Sequence, residues 1–121
     1  MASKGEMETR KVSGRSSGAV REFCLYGDND GTDKDGLPIR YHWAAAYTGS
    51  ATVIYGHTPL ADVDWVNNTL CIDTGCCFGG KLTALRWPER EVVSVPARQT
   101  YSPRRRPPGH PPVRPHPASK A

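Results

Sequence analysis

The chain has 121 residues and a formal net charge of +4, which leaves room for one domain at most. Hydrophobic residues make up only 37%, and there are 12 glycines and 11 prolines, which argues against a chain packed from end to end. Five of the 16 cations and seven of the prolines lie in residues 101–121, which contain no acid, leaving 11 cations against 12 acids in the first 100 residues. The positive charge therefore belongs to the tail, which excludes a basic nucleic-acid-binding domain as the reading of the body. No apolar run approaches the length of a membrane span. Residues 1–22 have no apolar stretch of the kind found in a secretory leader. With no export signal, Cys24, Cys71, Cys76 and Cys77 are expected as free thiols in a cytoplasmic protein.

In chain order, residues 1–19 are small, polar and glycine-containing, predicting a flexible arm. Residues 22–26 predict a short strand stopped by Gly27. The acidic stretch 28–36 superficially suggests a calcium loop, but neither register puts glycine at position 6 and glutamate at position 12, so a solvated turn is expected. Residues 40–47 predict a short helix ended by Gly49. Strands follow over 51–55, 69–73, 81–87 and 91–95, the third stopped by Pro88 and the fourth by Pro96. The pattern predicts an α+β fold with a strand-rich, largely antiparallel end, built from residues 20–97 and followed by a disordered Pro/Arg-rich tail over 98–121.

Two motifs fail as sites. Residues 75–82 fit G-x-x-x-x-G-K, but Leu82 replaces the Ser/Thr that would hold Mg²⁺, and Pro88 leaves no length for the helix that a phosphate loop opens. A tight turn between strands is expected there instead. Cys71, Cys76 and Cys77 with His57 lack the spacing of a zinc knuckle.

A third constellation fares better. His57 follows a strand and a glycine in Tyr55-Gly56-His57-Thr58-Pro59, and Asp73 closes an apolar strand in Ile72-Asp73-Thr74-Gly75. Loops at strand ends are where sheet proteins place functional groups, and a neutral imidazole is the commonest metal-binding side chain. A carboxylate at the end of an apolar strand needs a partner. Two adjacent strands would bring His57 and Asp73 to one edge.

These words resemble the calcineurin-like metallophosphoesterases. The runs 51–59, 65–76 and 78–91, with Gly36-Leu37-Pro38-Ile39-Arg40-Tyr41 and Trp43-Ala44-Ala45 upstream, are similar in particular to the end of the phosphatase domain of the bacterial polynucleotide kinase–phosphatase family of RNA-repair enzymes. The resemblance implies a partial α/β sandwich over residues 20–97. It also implies a site with two divalent ions, Mn²⁺ in expectation, in which His57 ligates one ion and Asp73 supports the site. The implied substrate is a phosphate ester at a polynucleotide end, with no membrane partner. Relatives acting on protein phosphoserine/threonine or on diadenosine tetraphosphate share Gly-His-Thr and Ile-Asp-Thr-Gly, here residues 56–58 and 72–75, and stand as the alternative.

The family's Asp-x-His, Gly-Asp-x-x-Asp-Arg-Gly and Gly-Asn-His/Asp motifs do not occur in this chain. The resemblance therefore implies a fragment that is inactive alone, with the missing segments on a neighbouring reading frame. The remaining alternative is a non-catalytic module that binds nucleic acid weakly through Arg104, Arg105 and Arg106.

Overall fold

The computed structural model describes residues 18–114. Most of the arm expected over residues 1–19, and the end of the chain from residue 115, lie outside them. The described residues form one α-helix, α1 (Gly18–Tyr26), and seven strands: β1 (Asp28–Thr32), β2 (Pro38–Tyr41), β3 (Val53–Tyr55), β4 (Trp65–Val66), β5 (Thr69–Cys71), β6 (Lys81–Arg86) and β7 (Glu91–Pro96). Single 3-10 turns occupy Trp43–Ala46 and Cys76–Phe78. Among the described residues, no helix is long and apolar enough to cross a membrane. The content is α+β and strand-rich, as the sequence pattern predicts.

The chain divides into two compact units, with the division falling inside β4. Among the described residues, the first holds α1, β1, β2 and the Trp43 turn, with Val66–Asn68 and residues 111–114. Here the structure corrects two sequence expectations. Residues 22–26 belong to a helix rather than a strand. Their β-forming composition is overridden because Val20 and Phe23, three positions apart, share a helical face. Val20 is buried, and the Phe23 ring meets Trp43 edge-on at 5.5 Å. Gly27, at φ 76°, ends the helix by donating its N–H to Phe23 O at 2.7 Å.

Residues 40–47 are not an α-helix. Tyr41 still belongs to β2, and only Trp43–Ala46 turn helically before Tyr47 becomes extended. A two-turn helix is too short to outweigh strand pairing at one end. Trp43, Ala44 and Tyr47 are buried, with Trp43 edge-on to Tyr47 at 6.1 Å. The Tyr47 hydroxyl donates to Ala51 O at 2.6 Å.

The acidic stretch forms a β1–β2 antiparallel hairpin with an irregularity between Asn29 and Thr32. Asp33 Oδ1 accepts the N–H groups of Asp35 and Leu37 at 2.9 and 3.0 Å, so this carboxylate is used by its own turn. Arg114 returns to the hairpin. Its Nη2 donates to Asp28 Oδ1 at 2.9 Å, and its guanidinium lies 4.1 Å from the Tyr41 ring centre. The hydrogen bond to Asp28 raises the Arg114 pKa further. His42 N–H donates to Pro112 O at 2.8 Å.

The second unit contains β3, β5, β6 and β7. Strands β3, β5 and β4 form a sheet in that spatial order. The β3–β5 pair is parallel, with Val53 opposite Thr69, Ile54 opposite Leu70 and Tyr55 opposite Cys71. This departs from the largely antiparallel expectation, because the long connection over residues 56–68 lets the chain return in the same direction. All three β5 residues are buried, as expected of a strand covered on both faces. Strands β6 and β7 form an antiparallel ribbon in continuous register from Lys81↔Pro96 to Arg86↔Glu91.

Candidate functional site

Parallel pairing sends the ends of β3 and β5 to one edge, and the Gly-His and Asp-Thr-Gly loops leave the sheet from there. Beyond the strands, Ile72 N–H donates to Tyr55 O and Leu60 N–H to Asp73 O, both at 2.9 Å. Leu60 is buried. These contacts fold residues 56–60 back over the end of β5.

Asp73 joins the two loops. Its Oδ2 accepts the backbone N–H of His57 at 2.9 Å, and its Oδ1 accepts the N–H of Gly75 at 3.1 Å. The carboxylate at the end of the apolar strand is thus satisfied by two backbone donors. It fixes the backbone from which the exposed His57 side chain extends. His57 itself has φ 68°, a left-handed conformation uncommon outside glycine. A Cβ on Gly56 would stand 3.4 Å from Asp73 Cβ, at ordinary contact distance, so the two loops lie close together here.

Below this edge the surroundings are apolar. Burial pushes the Tyr55 phenol above its ordinary range, with a smaller contribution from Cys71. Burial also raises the Cys71 thiol, which donates to Thr58 O at 3.3 Å. Both groups are neutral at neutral pH.

Thr74 secures the far side of the Asp73 loop. Its hydroxyl lies 2.7 Å from Lys81 O and 2.6 Å from Thr83 Oγ1, and Thr83 continues to Ser94 Oγ at 3.2 Å. This hydroxyl chain ties the loop to both strands of the ribbon. The G-x-x-x-x-G-K segment opens no phosphate-binding helix. Gly75 and Gly79 take φ of 68° and 85° around the Cys76–Phe78 turn, and Lys81 begins β6 and pairs with Asp62. It is a turn between strands, as expected.

The segment after β7 runs along these loops. Tyr101 and Ser102 donate their N–H groups to Cys77 O at 3.0 and 2.8 Å, and Gly109 N–H reaches Pro59 O at 3.2 Å. Between these anchors, the Arg104 guanidinium lies 5.2 Å from the Phe78 ring centre. Sequence reasoning missed this, because nothing in a Pro/Arg-rich composition signals where such a segment docks.

The four cysteines are free, with Cys71 buried and Cys77 exposed. Among the described residues, no group of three or more His, Cys, Asp or Glu is placed to hold a metal ion. The described residues therefore do not by themselves form a metal cage.

The chain is 54% identical over 89 residues to the asymmetrical bis(5′-nucleosyl)-tetraphosphatase PrpE of Anoxybacillus flavithermus and, again at 54% over 89 residues, to that of Bacillus subtilis. It is 50% identical over 95 residues to the protein of the same name from a Geobacillus species. These matches cover 73%, 73% and 78% of the chain, in the same order, but only 36%, 36% and 39% of the relatives. The chain thus spans well under half the length of the proteins it matches. No family model matches it. The homologues are members of the metallophosphoesterase superfamily, and they carry the name of the tetraphosphatase alternative. The expected closeness to polynucleotide kinase–phosphatase, with its RNA-repair role, is not supported.

Proposed function

We propose that this chain is part of a metallophosphoesterase domain that hydrolyses dinucleoside tetraphosphates. The observation that carries the reading is 54% identity over 89 residues to asymmetrical bis(5′-nucleosyl)-tetraphosphatases. A span of that length within 121 residues necessarily includes positions 57 and 73. In this reading His57 offers its imidazole to one divalent ion, and Asp73 is a positioning residue that holds the His57 and Gly75 amides. Bound ions would supply Lewis-acid activation of the phosphate chain. The other ligands would come from the portion of the relatives that this chain does not match.

The test is a chimaera in which these residues replace the matched segment of the Bacillus subtilis protein. It is assayed on diadenosine tetraphosphate, a 3′-phosphorylated oligonucleotide and a phosphopeptide. The expected result is preferential hydrolysis of the tetraphosphate. His57→Ala should reduce turnover by about a hundredfold or more, the scale lost with a group that stabilises the transition state. Asp73→Asn should lower it less while the domain stays folded by circular dichroism. Preference for the oligonucleotide, or undiminished turnover in the His57→Ala chimaera, would overturn the reading.

A further inference from the structure

We propose that the segment 102–109 carries an anion site for a polyphosphate chain, with the Arg104 guanidinium as its fixed contact. The inference rests on the substrate class above and adds a binding residue from the Pro/Arg segment.

The argument begins with where the segment is held. One anchor, at Cys77 O, belongs to the loop that follows Asp73, and the other, at Pro59 O, lies two residues after His57. The segment therefore spans the two loops that leave the same end of the β3–β5 pair. Arg104, Arg105 and Arg106 fall between the anchors, flanked by Pro103, Pro107 and Pro108. Proline on both sides restricts the backbone, so less conformational freedom is lost when a ligand binds.

Arg104 is held more closely than an ordinary surface cation. It is half-buried, lies over Phe78 and packs against Gly75, where any Cβ would collide with its Nη2. No carboxylate is paired with it among the described residues. Arg114 provides the contrast, since it also lies over an aromatic ring but is neutralised by Asp28. Nearby, the Lys81 ammonium is occupied by Asp62. Arg104 is thus an oriented guanidinium with uncompensated charge beside the loop that Asp73 organises. A planar guanidinium matches phosphate oxygens through two parallel hydrogen bonds, and ring stacking leaves those donors at its edge. A chain of phosphates offers Arg104 and the exposed Arg105 more charge and more acceptor oxygens than a single phosphate does.

The test is calorimetric titration of the whole chain with sodium tripolyphosphate, and with orthophosphate, in metal-free buffer at low salt. Arg104→Met keeps an unbranched stem over Phe78 and removes the charge. It should weaken tripolyphosphate binding about tenfold, equivalent to about 1.4 kcal/mol. Arg98→Ala removes an exposed cation outside the segment with the same change in net charge, and should leave the affinity unchanged. Arg104→Lys, which keeps charge but loses the fork, should fall between wild type and Arg104→Met, and it carries the test if the methionine variant fails to fold. Equal losses in the Arg98→Ala and Arg104→Met chains would show non-specific attraction and overturn the site. So would unaltered binding in the Arg104→Met or Arg104→Lys chain, or orthophosphate binding as tight as tripolyphosphate. The titration involves no hydrolysis. Loss of binding on Arg104→Met alongside a chimaera inert toward diadenosine tetraphosphate would uphold the anion site and remove only the substrate reading.

Discussion

The β1–β2 hairpin and the β3–β5 pair show two ways of placing acidic residues, and only one lets a single carboxylate join two loops. In the hairpin each acid has a single use, with Asp33 closing its own turn and Asp28 taken by Arg114 from far along the chain. The parallel pair starts from segments sixteen residues apart and brings both following loops to one edge. There a single carboxylate, Asp73, reaches both loops. The acid-rich stretch is the more conspicuous in sequence, yet the sparser pair is the one that joins two loops. The lesson lies in topology, since a parallel crossover delivers two independent loops to one place.

The largest effect expected from this contrast concerns β5. Leu70 is fully buried at its centre, so Leu70→Ala should cost about 2–5 kcal/mol in urea denaturation, with little dependence on salt. A loss below about 1 kcal/mol would mean that this strand is not the organising element of its unit.

A second test uses the same strand and pH. Burial raises the Cys71 thiol in the folded chain, whereas unfolded thiols titrate near pH 8.5, at about the ordinary value. The folded form then holds the proton more tightly, so the contribution is intact below the unfolded value and is lost as pH rises through the folded one. Thermal melts should show stability falling above about pH 8.5, with Tyr55 adding to the fall above about pH 10. Cys71→Ala should flatten the first part of that slope. An unchanged slope would place the alkaline sensitivity elsewhere.

The smallest effect belongs to the hairpin. Arg114 remains 46% exposed in its side chain, so Arg114→Ala should cost no more than about 1 kcal/mol. Most of that loss should vanish in 1 M salt, where the Debye length falls to about 3 Å. A salt-insensitive loss would show that stacking on Tyr41, rather than the charge, holds the segment.

How far the sequence was legible follows the same division. The buried run Thr69-Leu70-Cys71 and the ribbon stopped by Pro88 could be read directly, because apolar runs and alternation are local signals. Leu82 and Pro88 likewise showed that the glycine-rich loop opens no phosphate-binding helix. The helix over Gly18–Tyr26 was obscured by Phe23 and Tyr26, residues that favour strands until Trp43 supplies a helical face with a partner. At the site, the proximity of His57 and Asp73 could be inferred from two strand ends followed by loops. Which atoms Asp73 would hold could not, because backbone amides carry no sequence signature. The docking of residues 101–109 was equally hidden, since its contacts run largely through carbonyl groups.

The Asp28–Arg114 pair has a further consequence for the order in which the chain is made. Its partners are separated by 86 positions. At synthesis rates of about 5–20 residues per second, Asp28 is added to the chain roughly 4–17 s before Arg114. A hairpin closes in about 1–10 μs, so β1 and β2 have time to pair and reopen many times before that cation exists, two strands alone being only marginally stable. Arg114 is therefore the last of these partners to be made.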